Sequence, residues 1–78
     1  MKNSITVYGK PDCVQCSATQ KYLDRASIPY TKIDVTEDAG AYLYVTQDLG
    51  YQQVPVVHTG SEHWSGFNPV KLALLRTI

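Results

Sequence analysis

Two cysteines, Cys13 and Cys16, are the residues of this chain whose type and spacing point most directly to chemistry. They are the only cysteines in the sequence, and Val14 and Gln15 separate them. A Cys-X-X-Cys pair favours a redox dithiol, which alternates between a disulfide and two thiols. In a helical segment the two side chains share one face within disulfide reach. Because that bond closes a loop of about four residues, it stabilises the fold by only about 2 kcal/mol.

A zinc site is the alternative from another class. His58 and His63 have the spacing of a zinc pair, and with the two cysteines they complete a two-cysteine, two-histidine set. However, residues 17–57 intervene, far more than the roughly dozen residues of a zinc finger. The sequence therefore favours redox chemistry with no metal or cofactor bound, and a small zinc-binding module is the rival interpretation.

Length and charge limit the classes of function. A chain of 78 residues is expected to form one domain, residues 1–78. Seven basic and seven acidic side chains cancel, so no net field attracts nucleic acid or an anionic membrane. The first residues are polar and no apolar stretch reaches transmembrane length. We therefore expect a cytoplasmic protein that binds neither nucleic acid nor membrane.

The hydrophobic pattern predicts the elements that position the cysteines. Strands are expected at 4–8, 30–35, 54–57 and 62–65, and helices at about 13–26, 36–49 and 68–77. Asp12, residues 36–38 and Asn68 are the expected helix caps, with Pro69 at the first position of the last helix. The first two strands, joined through a helix, should be parallel, and a turn at 59–61 should make the last two a hairpin. This βαβαββα order predicts an α/β fold.

Each helix is expected to bury one stripe of side chains. The expected stripes are Cys16, Thr19, Leu23 and Ala26 in the first helix, Ala39, Tyr42, Leu43, Thr46 and Leu49 in the second, and Val70, Ala73 and Leu74 in the third. Breaks are expected at residues 9–11, 28–29 and 50.

The expected position of Cys13 favours its ionised form. At a helix start the thiol faces unpaired backbone N–H groups and the positive end of the helix dipole, with Lys10 nearby and Asp12 opposing. Because the thiolate is the nucleophile, Cys13 is predicted to attack a disulfide on a partner protein. Cys16 is then predicted to resolve the mixed disulfide.

A dithiol between the first strand and first helix, followed by Val54 and Pro55 at a later strand, resembles the thioredoxin fold over nearly the whole chain. Within that fold, residues 13–16 (Cys-Val-Gln-Cys) and 64–69 (Trp-Ser-Gly-Phe-Asn-Pro) are similar to the NrdH-redoxins. That family is glutaredoxin-like in sequence and thioredoxin-like in activity. Its second motif normally reads Trp-Ser-Gly-Phe-Arg-Pro, so Asn68 is a departure.

The resemblance also implies a substrate-binding surface. Pro55 resembles the cis-proline opposite the dithiol, beside which the backbone of Val54 would pair with an extended partner segment. An ordinary edge-strand proline is the alternative. The expected substrate-contacting residues are Lys10, Val14, Gln15, Val54, Pro55, Trp64 and Phe67. The two aromatic residues could instead belong to the core, as aromatic side chains in small domains more commonly do.

The same resemblance implies partners. Glutathione-using glutaredoxins usually carry Thr-Val-Pro and a later acidic motif, whereas this chain has Gln53 before Val54 and Pro55. The implied reductant is thioredoxin reductase, a flavoenzyme that uses NADPH, and the implied target is class Ib ribonucleotide reductase. A glutathione-dependent glutaredoxin or a general protein disulfide reductase is the alternative. We expect a monomer.

Overall fold

The computed structural model describes residues 5–75, which form a four-stranded sheet and three helices. The strands are β1 (Thr6–Gly9), β2 (Thr31–Asp34), β3 (Val56–His58) and β4 (His63–Ser65), arranged in the order β2-β1-β3-β4. Strand β1 pairs in parallel with β2 and antiparallel with β3, which pairs antiparallel with β4. The helices are α1 (Val14–Arg25), α2 (Ala39–Leu43), which continues as a π-helix (Tyr44–Asp48), and α3 (Pro69–Leu74). The predicted four-stranded mixed sheet with three helices is confirmed.

The main core joins the sheet to α1 and α3. Its buried members are Ile5, Val7, Leu23, Val57, Trp64 and Leu72. Thr19 of α1 is also fully buried, and its hydroxyl donates to the carbonyl of Gln15 at 2.9 Å, so the polar group is satisfied. Burial of this face of α1 fixes the helix over the sheet and thereby sets the position of both cysteines.

The ends of α1 differ from the prediction. Asp12 does not cap the helix, because its backbone lies in the left-handed region with φ 57°. Cys13 is the cap instead, in the extended conformation that this position requires. At the other end the helix stops at Arg25, and Ser27, with φ 59°, turns the chain before the predicted break at 28–29.

The buried stripes of α2 and α3 also differ from the prediction. Tyr42 and Leu43 are each 54% exposed, whereas Ala41 and Val45 are buried; in α3, Leu72 is fully buried and Leu74 is 61% exposed. Val70, Ala73 and Ala39 are likewise exposed. Both segments carry apolar residues on nearly every side, so periodicity alone does not fix which stripe faces inward. Three members of the predicted α1 stripe, Cys16, Thr19 and Leu23, are buried, whereas the fourth, Ala26, is half-buried and caps the end of the helix.

The strands are shorter than predicted, and one expected break is wrong. Gly9 belongs to β1 and pairs with Asp34 of β2. Strand β3 begins only after Val54 and Pro55. The predicted endpoints at Ser4 and Thr77 lie outside the described residues. Of the described helices, none has the length and apolar character needed to cross a membrane.

Candidate active site

A disulfide between Cys13 and Cys16 occupies the junction between β1 and α1. The two Cα atoms are 5.2 Å apart, inside the usual range for disulfide-bonded cysteines. The Sγ of Cys13 accepts a hydrogen bond from the backbone N–H of Cys16 at 3.2 Å. The carbonyl of Cys13 accepts the N–H of Ser17 at 3.0 Å, so this residue also begins the backbone ladder of the helix. The sulfur therefore lies at the helix end where backbone donors are unpaired, which favours a negative charge there.

The two sulfurs have unequal access to solvent. Cys13 is half-buried, whereas Cys16 is 1% exposed. Attack on an external disulfide requires an accessible sulfur, and a resolving thiol needs to reach only its neighbour. The burial difference thus distinguishes the two cysteines chemically.

Gly9 permits this burial of Cys16, and sequence reasoning missed its role. A Cβ atom at Gly9 would lie 3.3 Å from the Sγ and 3.4 Å from the Cβ of Cys16. In the sequence the glycine indicates only a strand break, since nothing there shows what packs against it. In the structure it lets the buried cysteine pack directly against the backbone of β1.

The Val54–Pro55 peptide bond is cis and lies beside the disulfide, as the family resemblance implies. The carbonyl oxygen of Val54 is 3.9 Å from the Sγ of Cys13. Within residues 5–75 the N–H of Val54 donates to no acceptor. Pro55 is fully buried, and its carbonyl accepts the N–H of Gly66 at 2.8 Å. This arrangement leaves the peptide backbone of Val54 available next to the more accessible sulfur.

Gln15 connects the dithiol loop to the segment that precedes α3. Its Oε1 accepts the backbone N–H of Phe67 at 3.0 Å. A Cβ atom at Gly66, whose φ is 85°, would lie 3.4 Å from the same oxygen, so a larger residue would crowd the hydrogen bond between Gln15 and Phe67. Val14, between the cysteines, is 85% exposed, and Phe67 is 38% exposed. Of the predicted contact residues, Val14 and Gln15 therefore lie between the two cysteines, and Phe67 is hydrogen-bonded to this loop through Gln15.

Trp64 lies away from the expected substrate surface, whereas Lys10 lies close to Val54. Trp64 is 7% exposed and belongs to the core, which is the alternative that the sequence favoured for it, and not to an exposed docking surface. Its position on β4, opposite Val57 of β3, turns the ring toward α3, where the Nζ of Lys71 lies 5.6 Å from the ring centroid. Lys10 is exposed and lines a groove of about 250 Å³ that also includes Val54.

The two histidines lie toward the other end of the sheet. His58 pairs with Thr6, at the start of β1, whereas the cysteines follow the end of that strand. The rings of His58 and His63 stack at 5.8 Å, and Nδ1 of His63 is 2.8 Å from the hydroxyl of Tyr51. Among residues 5–75 no group of three or more histidine, cysteine or acidic side chains is arranged to hold a metal. The cysteines and histidines thus form separate clusters.

Comparison with known proteins gives the family. Residues 5–64 match the glutaredoxin family. The chain is 37% identical over 68 residues to the glutaredoxin-like protein NrdH of Salmonella typhimurium, covering 85% of this chain and 80% of that protein. It is 31% identical over 71 residues to NrdH of Lactococcus lactis subsp. cremoris, covering 91% and 97% of the two chains.

A solved structure agrees with these relatives. The NrdH-redoxin of Escherichia coli, a glutaredoxin-like protein with a thioredoxin-like activity profile, matches with a TM-score of 0.86 and 35% identity. The match covers 92% of this chain and 93% of that one. With its Cys-X-X-Cys disulfide and thioredoxin-like fold, this chain therefore belongs to the NrdH group of glutaredoxin-like thiol-disulfide redox proteins.

Proposed function

We propose that this protein is an electron donor in which Cys13 attacks a disulfide of a partner protein and Cys16 resolves the product. The observation that carries the proposal is the difference in burial, since Cys13 is half-buried at the tip of α1 and Cys16 is 1% exposed behind it. The proposed target is class Ib ribonucleotide reductase, in the cytoplasm. A monomer suffices for this role, because both sulfurs come from one chain.

The reaction consists of two thiol-disulfide exchanges. The Cys13 thiolate attacks one sulfur of the partner's disulfide, forming a mixed disulfide and releasing the partner's other sulfur as a thiolate. The Cys16 thiol loses its proton, and its sulfur attacks Cys13, forming the intramolecular disulfide and releasing the partner's second thiolate. Both partner thiolates take up protons according to their pKa values. Two electrons pass to the partner, and this chain becomes the oxidised form.

Neighbouring groups support each step. The N–H of Cys16 that donates to the Cys13 sulfur stabilises a thiolate better than a thiol, because it is a hydrogen bond to a charged acceptor. The free N–H and adjacent carbonyl of Val54 are suited to pair with an extended strand of the partner. Such backbone pairing would place the partner's disulfide next to Cys13 without requiring one particular sequence.

We propose that thioredoxin reductase, carrying flavin and drawing electrons from NADPH, returns the disulfide to the dithiol. Gln53 stands where glutathione-using relatives carry threonine, and Asn68 and its neighbours supply no acidic pair for a tripeptide amine. These features support a protein reductant over glutathione. A glutathione-dependent glutaredoxin is the competing function.

The choice of reductant can be tested by coupling the purified protein to each system separately. We expect NADPH consumption with thioredoxin reductase and a disulfide-containing class Ib ribonucleotide reductase, and only background consumption with glutathione and glutathione reductase. A Cys13→Ser variant is the matched control, since it removes the attacking sulfur and leaves the coupling enzymes unchanged. Turnover with glutathione alone would contradict the proposed reductant. Turnover with neither system would contradict the proposed donor function.

A further inference from the structure

A groove runs from the disulfide along α1, on the side of the helix that faces the segment before α3. Its lining begins at Cys13 and Val14, continues through Ala18 and Lys21, and ends at Arg25, with Phe67 on the opposite wall. The groove consists of two adjoining clefts, one at Cys13 and one at Arg25, whose linings share Ala18 and Lys21. The proposed reaction uses only the end at Cys13.

Apolar side chains line both parts of the groove, with Val14 in the cleft at Cys13 and Phe67 in the cleft at Arg25. Val14 is 85% exposed and Phe67 is 38% exposed, although both are large apolar residues. Ala18 lies between them in the groove and adds a small apolar floor. A bound peptide segment would remove this surface from water.

The far part of the groove is basic. Lys21 and Arg25 are four residues apart on α1, so they lie one turn from each other on the same face. Among residues 5–75 neither forms an ion pair; the ion pair found there joins Lys71 and Glu62. Asp12 is the acidic residue of the lining, and it lies at the disulfide end, away from Arg25. Two unpaired positive charges therefore face the groove at its far end.

We infer that this groove binds an acidic segment of the partner protein, carried on the same chain as the disulfide that Cys13 attacks. Lys21 is eight residues and Arg25 twelve residues beyond Cys13, about 12 and 18 Å along the helix axis. An extended chain advances about 3.3 Å per residue, so the complementary acidic side chains belong about four to six residues from the partner's reacting cysteine. The groove thus adds a charge-based preference to backbone pairing at Val54, which does not depend on sequence.

The inference rests on the proposed function, because the groove is defined relative to the sulfur that attacks. The test uses two synthetic peptides with a Cys-X-X-Cys disulfide. One carries Glu at the fourth to sixth positions on both sides of the disulfide, and the other carries Gln at those positions. The pre-reduced protein is mixed with each peptide at low salt, and the single-turnover rate is measured by acid quench and mass spectrometry. Each rate is normalised to that of dithiothreitol with the same peptide.

We expect the wild-type protein to reduce the Glu peptide about fivefold faster than the Gln peptide, the effect of two exposed ion pairs. The preference should fall toward unity in about 0.5 M salt, where the Debye length is only a few ångströms. The double variant K21Q/R25Q should lose the preference while reducing the Gln peptide at the wild-type rate.

The matched control is K32E, which changes the net charge by the same two units on β2, outside the groove lining. It should retain most of the preference. Equal rates for the two peptides with wild-type protein would overturn the groove assignment and leave the donor function intact, as would equal losses in K32E and K21Q/R25Q. Reduction of neither peptide would overturn the donor function itself.

Discussion

The sheet has a dithiol end, with Cys13 and Cys16, and a histidine end, with His58 and His63. Each end carries two chemically capable side chains a few residues apart, but the contacts of the two pairs differ. At the dithiol end the Cys13 sulfur accepts a backbone N–H and lies beside the carbonyl of Val54. At the histidine end Nδ1 of His58 accepts the N–H of Gly60 at 3.1 Å, within the β3–β4 turn. The hydroxyl of Tyr51 contacts both the Nδ1 and the carbonyl oxygen of His63. The histidines hold the hairpin, whereas the half-buried Cys13 sulfur lies beside the backbone of Val54.

The difference shows that spacing alone does not create a site. Both pairs fit a motif, yet only the cysteines lie where a helix begins and where a peptide backbone remains unpaired. Tyr8 and Tyr44 extend the aromatic contacts of the histidine end, with ring centroids 6.0 Å apart. Burial, then Tyr44 and Asp38, raise the pKa of Tyr8 above its ordinary value of 10.0, further from physiological pH. These surroundings favour packing over reactivity at Tyr8, which is consistent with a structural role for the histidine end of the sheet.

The largest expected effect separates the two ends by activity. Cys13→Ser should lower the rate of protein-disulfide reduction by about 10³-fold or more, because it removes the attacking sulfur. His58→Ala and His63→Ala should leave that rate within about twofold of wild type, and His63→Ala should cost about 1 kcal/mol of stability through the lost Tyr51 contact. Turnover assays and urea denaturation measure both quantities. A histidine variant as inactive as Cys13→Ser would remove the distinction between the two ends.

The next comparison uses one glycine from each end. Gly9→Ala should destabilise the oxidised protein by about 1–3 kcal/mol, because the new methyl group meets the Cys16 Sγ at 3.3 Å. The reduced protein should lose less, since a free thiol can rotate away. Urea denaturation with and without dithiothreitol provides the measurement.

Gly60→Ala is the control for that experiment. No atom of residues 5–75 outside its chain neighbours lies within 4 Å of the position that a Cβ atom would take, but the φ of 98° strains any other residue by about 1 kcal/mol. The cost should be the same in the oxidised and reduced protein. An equal dependence on oxidation state in both variants would refute the assigned contact between Gly9 and Cys16.

A smaller effect is expected at the cap of α3, which follows the groove residue Phe67. The Asn68 side chain accepts the N–H of Lys71 at 3.1 Å. Asn68→Ala should therefore cost about 1 kcal/mol in the free energy of unfolding, and Asn68→Asp, which can still cap, should cost less. Both variants should reduce the neutral peptide at nearly the wild-type rate. A large loss of activity in Asn68→Asp would show that this residue contributes to the chemistry of the dithiol end.

The smallest expected effect is a pH dependence at the end of β2. Hydrogen bonds from the hydroxyl and N–H of Thr36 hold the pKa of Asp34 below its ordinary value of 3.8, and Lys32 contributes in the same direction. A lowered pKa in the folded protein gives stability that is present above the unfolded value and is lost as the pH falls through the folded value. The stability difference between wild type and Asp34→Asn should therefore shrink from pH 7 to pH 3. A difference that stays constant in urea denaturation would contradict this assignment.

Much of the dithiol end could be predicted from sequence, because its determinants are local. The Cys-X-X-Cys spacing, the alternation at Ile5 and Val7 and the stripe through Leu23 are patterns of neighbouring residues. The cap was harder to predict, since Asp12 has the better capping side chain. In the structure its left-handed backbone excludes it, and the sulfur of Cys13 accepts the N–H instead.

The remainder depends on tertiary packing that the sequence does not display. Helices α2 and α3 have apolar residues on several faces, so the choice of Val45 and Leu72 for the interior follows from what each helix meets. Trp64 is buried for the same reason, since β4 turns it toward α3. The π-helical continuation of α2, in which the N–H of Leu49 donates to the carbonyl of Tyr44, carries no sequence signal that we identified.

The central claim is that Cys13 attacks and Cys16 resolves, and trapping tests it most directly. Reduced Cys16→Ser and Cys13→Ser variants are each mixed with a disulfide-bonded protein, quenched by alkylation and separated without reductant. The account predicts a covalent complex with Cys16→Ser, joined through Cys13, and none with Cys13→Ser. A complex that accumulates only with Cys13→Ser would reverse the two roles and contradict the account.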